Sequence, residues 1–239
     1  MRVGILGGTG PLGRGLALRL AAGGCEVTIG SRDPARAHEL AGELAGRWPG
    51  RPLAIAGAPN AVAAGTEIVV AATPWEAAAQ TVGELRDELS GKVVVSVGNA
   101  LSKQGREMVA LVPARGSVAA SVQAALPRSM VSAAGHHLPA GPLADLDIEL
   151  EADVLVCSDH PEATLATIEL LGRIEGLRPL DAGSLSAAGP IEAFTAVLVS
   201  LNARYRARSS LRLWGLDSSQ AARGQEPARP GAPGGAVAR

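Results

Sequence analysis

The first thirteen residues constrain the fold more than any other part of the chain. Residues 2–7 (RVGILG) form a short apolar run of branched side chains, which predicts a buried strand. It breaks directly into Gly7-Gly8-Thr9-Gly10-Pro11-Leu12-Gly13. A helical stretch follows from Arg14 to Ala22, stopped by Gly23-Gly24, and Glu26 to Gly30 predicts a second strand. Residues 8–13 fit G-x-G-x-x-G. The pattern is weak alone, but between a strand and a helix it is a dinucleotide fingerprint. Gly8 and Gly10 let the backbone turn tightly and approach a pyrophosphate, while Thr9, Pro11 and Leu12 complete the loop. Gly13 lets the helix pack close to the sheet, and the helix N-terminus offers free N–H groups and a positive dipole end.

The end of the second strand selects the nucleotide. A carboxylate there would hold a ribose 2′-hydroxyl and repel a 2′-phosphate. This chain has Ser31-Arg32 instead, with Arg36 one helical turn on. A hydroxyl and two guanidinium groups favour charge-assisted hydrogen bonds to a phosphate, so the expectation is NADP(H) rather than NAD(H).

Beyond this point strands and helices alternate. Strands are expected near 53–56, 67–72, 92–97, 129–134, 153–157 and 177–182. Helices are expected near 34–47, 60–64, 76–89, 118–126, 161–174 and 190–213. Residues 99–116 are ambiguous, with Pro113 and Gly116 breaking any long element. Such alternation implies an α/β, Rossmann-type, doubly wound and mostly parallel sheet with a C-terminal helical segment. The expected organisation is a dinucleotide-binding domain over 1–186, a helical segment over 187–217 that closes the cleft or forms a dimer, and a disordered tail over 218–239 rich in Pro, Gly and Ala.

Composition removes several chemistries. The only tyrosine is Tyr205, and the only lysines are Lys92 and Lys103. A short-chain dehydrogenase needs a Tyr and a Lys four residues apart, and position 209 is serine. A β-hydroxyacid dehydrogenase needs a late lysine, and none follows Lys103. His136-His137, adjacent in a loop, chelate poorly and His38-Glu39 lacks the second histidine of a zinc helix, so no metal is expected. The net charge of −1 argues against a general nucleic-acid binder. No apolar run approaches the roughly 18–20 residues of a membrane span, and none resembles a secretory leader. Cys25 and Cys157 form no disulfide framework, which fits a reducing cytoplasm. What remains is a nicotinamide site without obvious acid–base machinery. That suits hydride exchange with another redox cofactor.

Several segments in order carry a resemblance: MRVGILGGTGPLGRGLALRL at the start, VTIGSRDPARA, TPWE at 73–76, HHLPA at 136–140 and GLRPLDAGSL at 176–185. Over about residues 1–215 the chain resembles the NADPH-dependent F420 reductases, also called F420H2:NADP oxidoreductases. The resemblance implies reversible hydride transfer between NADP(H) and the deazaflavin coenzyme F420, whose rings stack at the carboxyl ends of the strands. It implies that Thr9, Gly10, Pro11 and Leu12 hold the NADP phosphates and that Ser31, Arg32 and Arg36 hold the 2′-phosphate. Thr73, Pro74, Trp75 and Ala79 would border the nicotinamide. His136, Leu138, Pro139 and Ala140 would border the meeting point of the rings, with His136 polarising a ring carbonyl. The phosphate and glutamate tail of F420 calls for a basic groove, for which Arg115, Arg128, Arg204, Arg206 and Arg208 are candidates. The final helix, with Ile191, Phe194, Val197, Leu198 and Leu201 at helical spacing, packs onto its own sheet or onto a partner in a homodimer. The alternatives are an NADPH-dependent reductase of an imine or small carbonyl compound, with His136 as proton donor, or a non-enzymatic NADP sensor.

Overall fold

The computed structural model describes residues 1–105 and 107–216; the tail expected over 218–239 lies outside the described residues. The first half alternates β1 (Arg2–Leu6), α1 (Pro11–Ala22), β2 (Glu26–Ser31), α2 (Pro34–Arg47), β3 (Ile55–Pro59), α3 (Asn60–Ala64), β4 (Ile68–Ala71), α4 (Trp75–Glu84) and β5 (Val93–Ser96). A hairpin of β6 (Leu101–Gln104) and β7 (Glu107–Ala110) follows, then α5 (Val118–Ala125), β8 (Met130–Ala133) and α6 (Ala140–Leu143). The chain ends with β9 (Ala152–Ser158), α7 (Pro161–Gly172), β10 (Leu177–Asp181) and α8 (Ala188–Tyr205).

Eight strands form one sheet in the order β10-β9-β8-β5-β4-β1-β2-β3. From β1 the chain winds outward through β2 and β3; β4 returns to the other flank of β1 and the winding continues away from it. The order reverses between β1 and β4, where a doubly wound sheet opens its crevice. Both faces are buried, as parallel strands require. Val3, Ile5, Ile68 and Val70 pack on one side with Leu16, Leu20 and Ile29. Leu6, Val69 and Val94 pack on the other with Val82, Val122 and Val131. β9 meets β8 antiparallel through only two residue pairs, Ser132 with Ser158 and Ala133 with Cys157. β10 then lies parallel to β9. Cys25 and Cys157 are both buried and free.

The ambiguous stretch 99–116 resolves into the β6–β7 hairpin, turned at Gly105 with φ +60. It packs on α8, where Ser200 Oγ accepts the Met108 N–H at 3.1 Å. The last helix is shorter than the expected 190–213. It ends at Tyr205, and Arg206 adopts the left-handed conformation with φ 52. The chain then turns back as an extended strap. Asn202 Oδ1 accepts both the N–H and the hydroxyl of Ser209 at 2.7 Å. Leu211 O accepts the Asp153 N–H at 2.8 Å, and Asp153 Oδ2 accepts the Leu213 N–H. A left-handed cap at Arg206, the bonds to Asn202 and the tertiary bonds to Asp153, rather than a glycine or proline, accompany the end of the helix. Contrary to the expectation from the sequence, one helix among the described residues, Leu185–Tyr205, is long and apolar enough to cross a membrane, with mean hydropathy 1.3. Its inner side is taken up by this protein's own core: Ile191, Ala196 and Leu198 are buried there, together with Glu192.

Candidate functional site

The glycine loop after β1 sits at the crevice. Gly7 has φ +65, so the residue that needs glycine for its conformation is Gly7 rather than Gly8 or Gly10. Its missing side chain also admits the neighbouring loop, because a Cβ there would stand 2.8 Å from Thr73 Cγ2. Gly8 and Gly13 serve close packing: a Cβ on Gly13 would lie 2.7 Å from Gly8 Cα, and one on Gly8 would lie 2.9 Å from Ile5 O. Gly10 caps α1 without a side chain, Pro11 occupies its first turn, and no acidic residue stands there. The first N–H groups of α1, which have no acceptor within the helix, are thus left for an anion. Thr9 and Leu12 are half-buried. Asn60, to which the sequence analysis assigned no role, props this loop from below. Its Oδ1 accepts the Gly7 N–H at 3.5 Å, and a Cβ on Gly30 would approach the same oxygen to 2.8 Å.

At the end of β2, Ser31 is buried and its Oγ accepts the Asp33 N–H at 3.1 Å. Asp33 is the nearest carboxylate, and its Oδ1 caps α2 by accepting the N–H groups of Ala35 and Arg36 at 3.1 and 3.3 Å. Arg32 and Arg36 are exposed, and neither makes an ion pair among the described residues. Two uncommitted guanidiniums and a carboxylate committed to a cap suit a 2′-phosphate.

The inner end of the crevice is lined by buried polar atoms whose hydrogen bonding is incomplete among the described residues. Thr73 Oγ1, Ser96 Oγ, Asn99 Oδ1 and His137 Nδ1 are buried without a partner among the described residues, and the His136 ring nitrogens face the main chain of Gly98 and Val97 without a well-formed hydrogen bond. They cluster where β4, β5 and β8 end. Buried polar groups normally pair, so this concentration marks a place where a polar ligand completes the bonding. Pro74 and Trp75 open α4, with Ala79 half-buried one turn on. Gly98 stands beside Trp75, since a Cβ there would lie 3.9 Å from that of Trp75 and 3.1 Å from Val118 Cγ1.

His136 is held by its main chain. Asn99 Nδ2 donates to His136 O at 2.9 Å, and Thr195 Oγ1 donates to the same carbonyl at 3.2 Å. That bond fixes the Asn99 amide with nitrogen toward His136 O, so its oxygen is the free acceptor. Burial pushes the His136 imidazole down to about 3; neighbouring His137 adds to this, and the backbone of Gly98 and Val97 opposes it. The ring is neutral and offers one donor and one acceptor. His137 is anchored instead, its Nε2 lying 2.9 Å from Asp153 O. Leu138 is packed in the core with Val97 and Ala134 and backs the loop, while Pro139 and Ala140 are half-buried. The signal for Asn60 and Asn99 is faint in the sequence: each is one asparagine after a strand, where that residue commonly makes a turn.

Of the five arginines expected near an acidic tail, Arg208 lies against this loop. Its guanidinium lies over Gly141, where a Cβ would come within 2.1 Å of Nη1. Arg128 pairs with Asp87 at 2.9 Å at the start of β8. Arg115 lines a groove with Asp159 and Leu185, and Arg204 lines one between β7 and α8. Arg206 forms the left-handed turn.

Residues 2–100 match the family described as NADP oxidoreductase, coenzyme F420-dependent. The F420-dependent NADP reductase of Methanocaldococcus jannaschii is 37% identical over 215 residues, covering 88% of this chain and 96% of that protein. That of Methanothermobacter thermautotrophicus is 35% identical over 218 residues, covering 88% and 93%. Among solved structures, a putative F420-dependent NADP reductase from an Arthrobacter species superposes with a TM-score of 0.75 at 25% identity, covering 89% of this chain and 99% of that one.

Proposed function

Because this chain belongs to the F420-dependent NADP reductases, we infer that it transfers a hydride reversibly between NADP(H) and the deazaflavin coenzyme F420. The observation that carries the reading at the site is the set of incompletely bonded buried atoms on Thr73, Ser96, Asn99 and His136. A carboxamide and a ring carbonyl are the kinds of group that such donors and acceptors complete.

When bound, the nicotinamide and the deazaflavin supply the two carbons between which the hydride passes. The protein's own part is placement. The α1 N-terminus with Thr9, Gly10, Pro11 and Leu12 would hold a pyrophosphate, Gly8 and Gly13 giving the close packing that shapes this loop, and Ser31, Arg32 and Arg36 would hold the 2′-phosphate. Thr73, Pro74, Trp75 and Ala79 wall the nicotinamide side. His136, Pro139 and Ala140 face the deazaflavin side, with Leu138 behind them. Neutral His136 would donate a hydrogen bond to a ring carbonyl without releasing a proton. Holding the reacting atoms about 3–3.5 Å apart can contribute roughly 7–11 kcal/mol, so orientation alone supplies much of the catalysis. The test is direct: mixing the protein with NADPH and F420 should bleach the deazaflavin absorbance and fluorescence. Tight NADPH binding with an unchanged deazaflavin signal would refute the reading.

We further propose a cytoplasmic homodimer. Two free buried cysteines suit a reducing compartment. Phe194, Val197 and Leu201 leave an exposed apolar stripe on α8, with Glu107 and Arg204 beside it. Opposite charges flanking one stripe favour a self-complementary two-fold contact. Light scattering coupled to size exclusion should give twice the chain mass, and Val197→Glu should halve it.

A further inference from the structure

We propose that Arg208 is the specificity residue for the anionic tail of the deazaflavin coenzyme; the inference rests on the function argued above. The tail joins a phosphodiester to glutamate carboxylates, so it must meet cations where it leaves the cleft. The pyrophosphate and 2′-phosphate of the nucleotide already have the α1 N-terminus, Arg32 and Arg36. Next to the 136–141 loop, Arg208 is the described guanidinium that makes no ion pair among the described residues. Arg19, which also meets this segment, spends its donors on the carbonyls of Leu143, Pro142, Asp145 and Ile148.

The fold delivers Arg208 there deliberately. The left-handed turn at Arg206 ends α8 two residues before Arg208. Ser209 is tied to Asn202, Ser210 Oγ donates to Glu151 O at 2.8 Å, and Leu211 and Leu213 are tied to Asp153. Ala207 N–H donates to Asn202 O at 3.1 Å on the preceding side, so both sides of Arg208 are anchored, while its own guanidinium lies over Gly141. The guanidinium fills the space beside Gly141, where a Cβ would stand 2.1 Å from Nη1.

The test compares two ligands by fluorescence titration without NADPH: F420, and the deazaflavin riboside that lacks the phosphate and glutamates. Arg208→Ala should weaken F420 by about tenfold, the scale of hydrogen bonds to a charged group, and should leave the riboside and NADPH within about twofold. Arg208→Lys should recover part of the loss, and the salt dependence of F420 binding should flatten in the alanine variant. Equal losses for F420 and the riboside would mean that the residue only shapes the loop, and would overturn the proposal. A loss confined to NADPH, or no loss, would also overturn it. If the unaltered protein binds neither deazaflavin, the functional reading itself falls; if it binds and reduces both, that reading stands whatever Arg208 does.

Discussion

The carboxylate of Glu192 on α8 accepts the N–H groups of Val118 at 2.8 Å and of Ala119 at 3.1 Å, the first two residues of α5. One helix thereby caps another across 73 or 74 residues of chain. This bond locks the C-terminal helix to the nucleotide half.

Removing that cap should be costly. Glu192 is 4% exposed, and Glu192→Ala leaves two buried N–H groups unpaired. We expect a loss of about 2–4 kcal/mol in denaturant unfolding. Burial raises the carboxyl's affinity for a proton, and the N–H groups of Val118 and Ala119 offset this only in part, so its native value lies above the ordinary one. A raised acid contributes stability that is full below its unfolded value and fades as pH climbs through the native one. Relative to Glu192→Gln, the unaltered protein should therefore gain stability as pH is lowered from neutrality toward the ordinary glutamate range; a difference in Tm independent of pH would contradict this.

His136 predicts the opposite sign. Its native value, near 3, lies below the unfolded 6.5. The folded state then binds fewer protons, and its stability is full above the unfolded value and declines as pH drops toward the native one. His136→Asn should flatten the acid limb of stability between pH 6.5 and 3. It should also slow hydride transfer without removing an inflection from the rate profile between pH 5.5 and 8, because the imidazole does not titrate there. Stopped-flow kinetics across that range checks both.

Arg32→Asp should weaken NADPH binding by about ten- to a hundredfold and NADH binding by much less, read by cofactor fluorescence titration. Similar losses for both would mean that the 2′-phosphate lies elsewhere.

Gly13→Val places side-chain carbons against Gly8, whose Cα is 2.7 Å from the first of them. The strand–helix junction must open. We expect a lower Tm and loss of NADPH binding even where circular dichroism reports intact secondary structure.

The sequence made the nucleotide half legible because its signals are local. A branched apolar run, a glycine turn and a leucine-bearing helix announce β1 and α1, and Pro34 behind Asp33 announces α2. The β6–β7 hairpin was hidden because its strands are four residues each and half exposed, with no apolar alternation to reveal them. The end of α8 was hidden because no glycine or proline stops it; its left-handed cap at Arg206 is accompanied by bonds to Asn202 and Asp153, the latter distant in sequence. At the site, glycines and arginines could be read from spacing. Asn60, Asn99 and the choice of Arg208 among five arginines depend on which loops the fold brings together.

The hairpin opens and closes at almost one point, for Leu111 N–H donates to Ala100 O at 2.8 Å. An insertion whose two ends nearly touch behaves as an interchangeable cassette. A two- or three-residue turn could bridge Ala100 to Leu111 while every strand of the sheet keeps its neighbours. Lengthening or replacing that cassette would remodel the wall that α8 presents without disturbing the nucleotide fingerprint, which makes it a natural graft point for redesigning which second substrate the scaffold accepts.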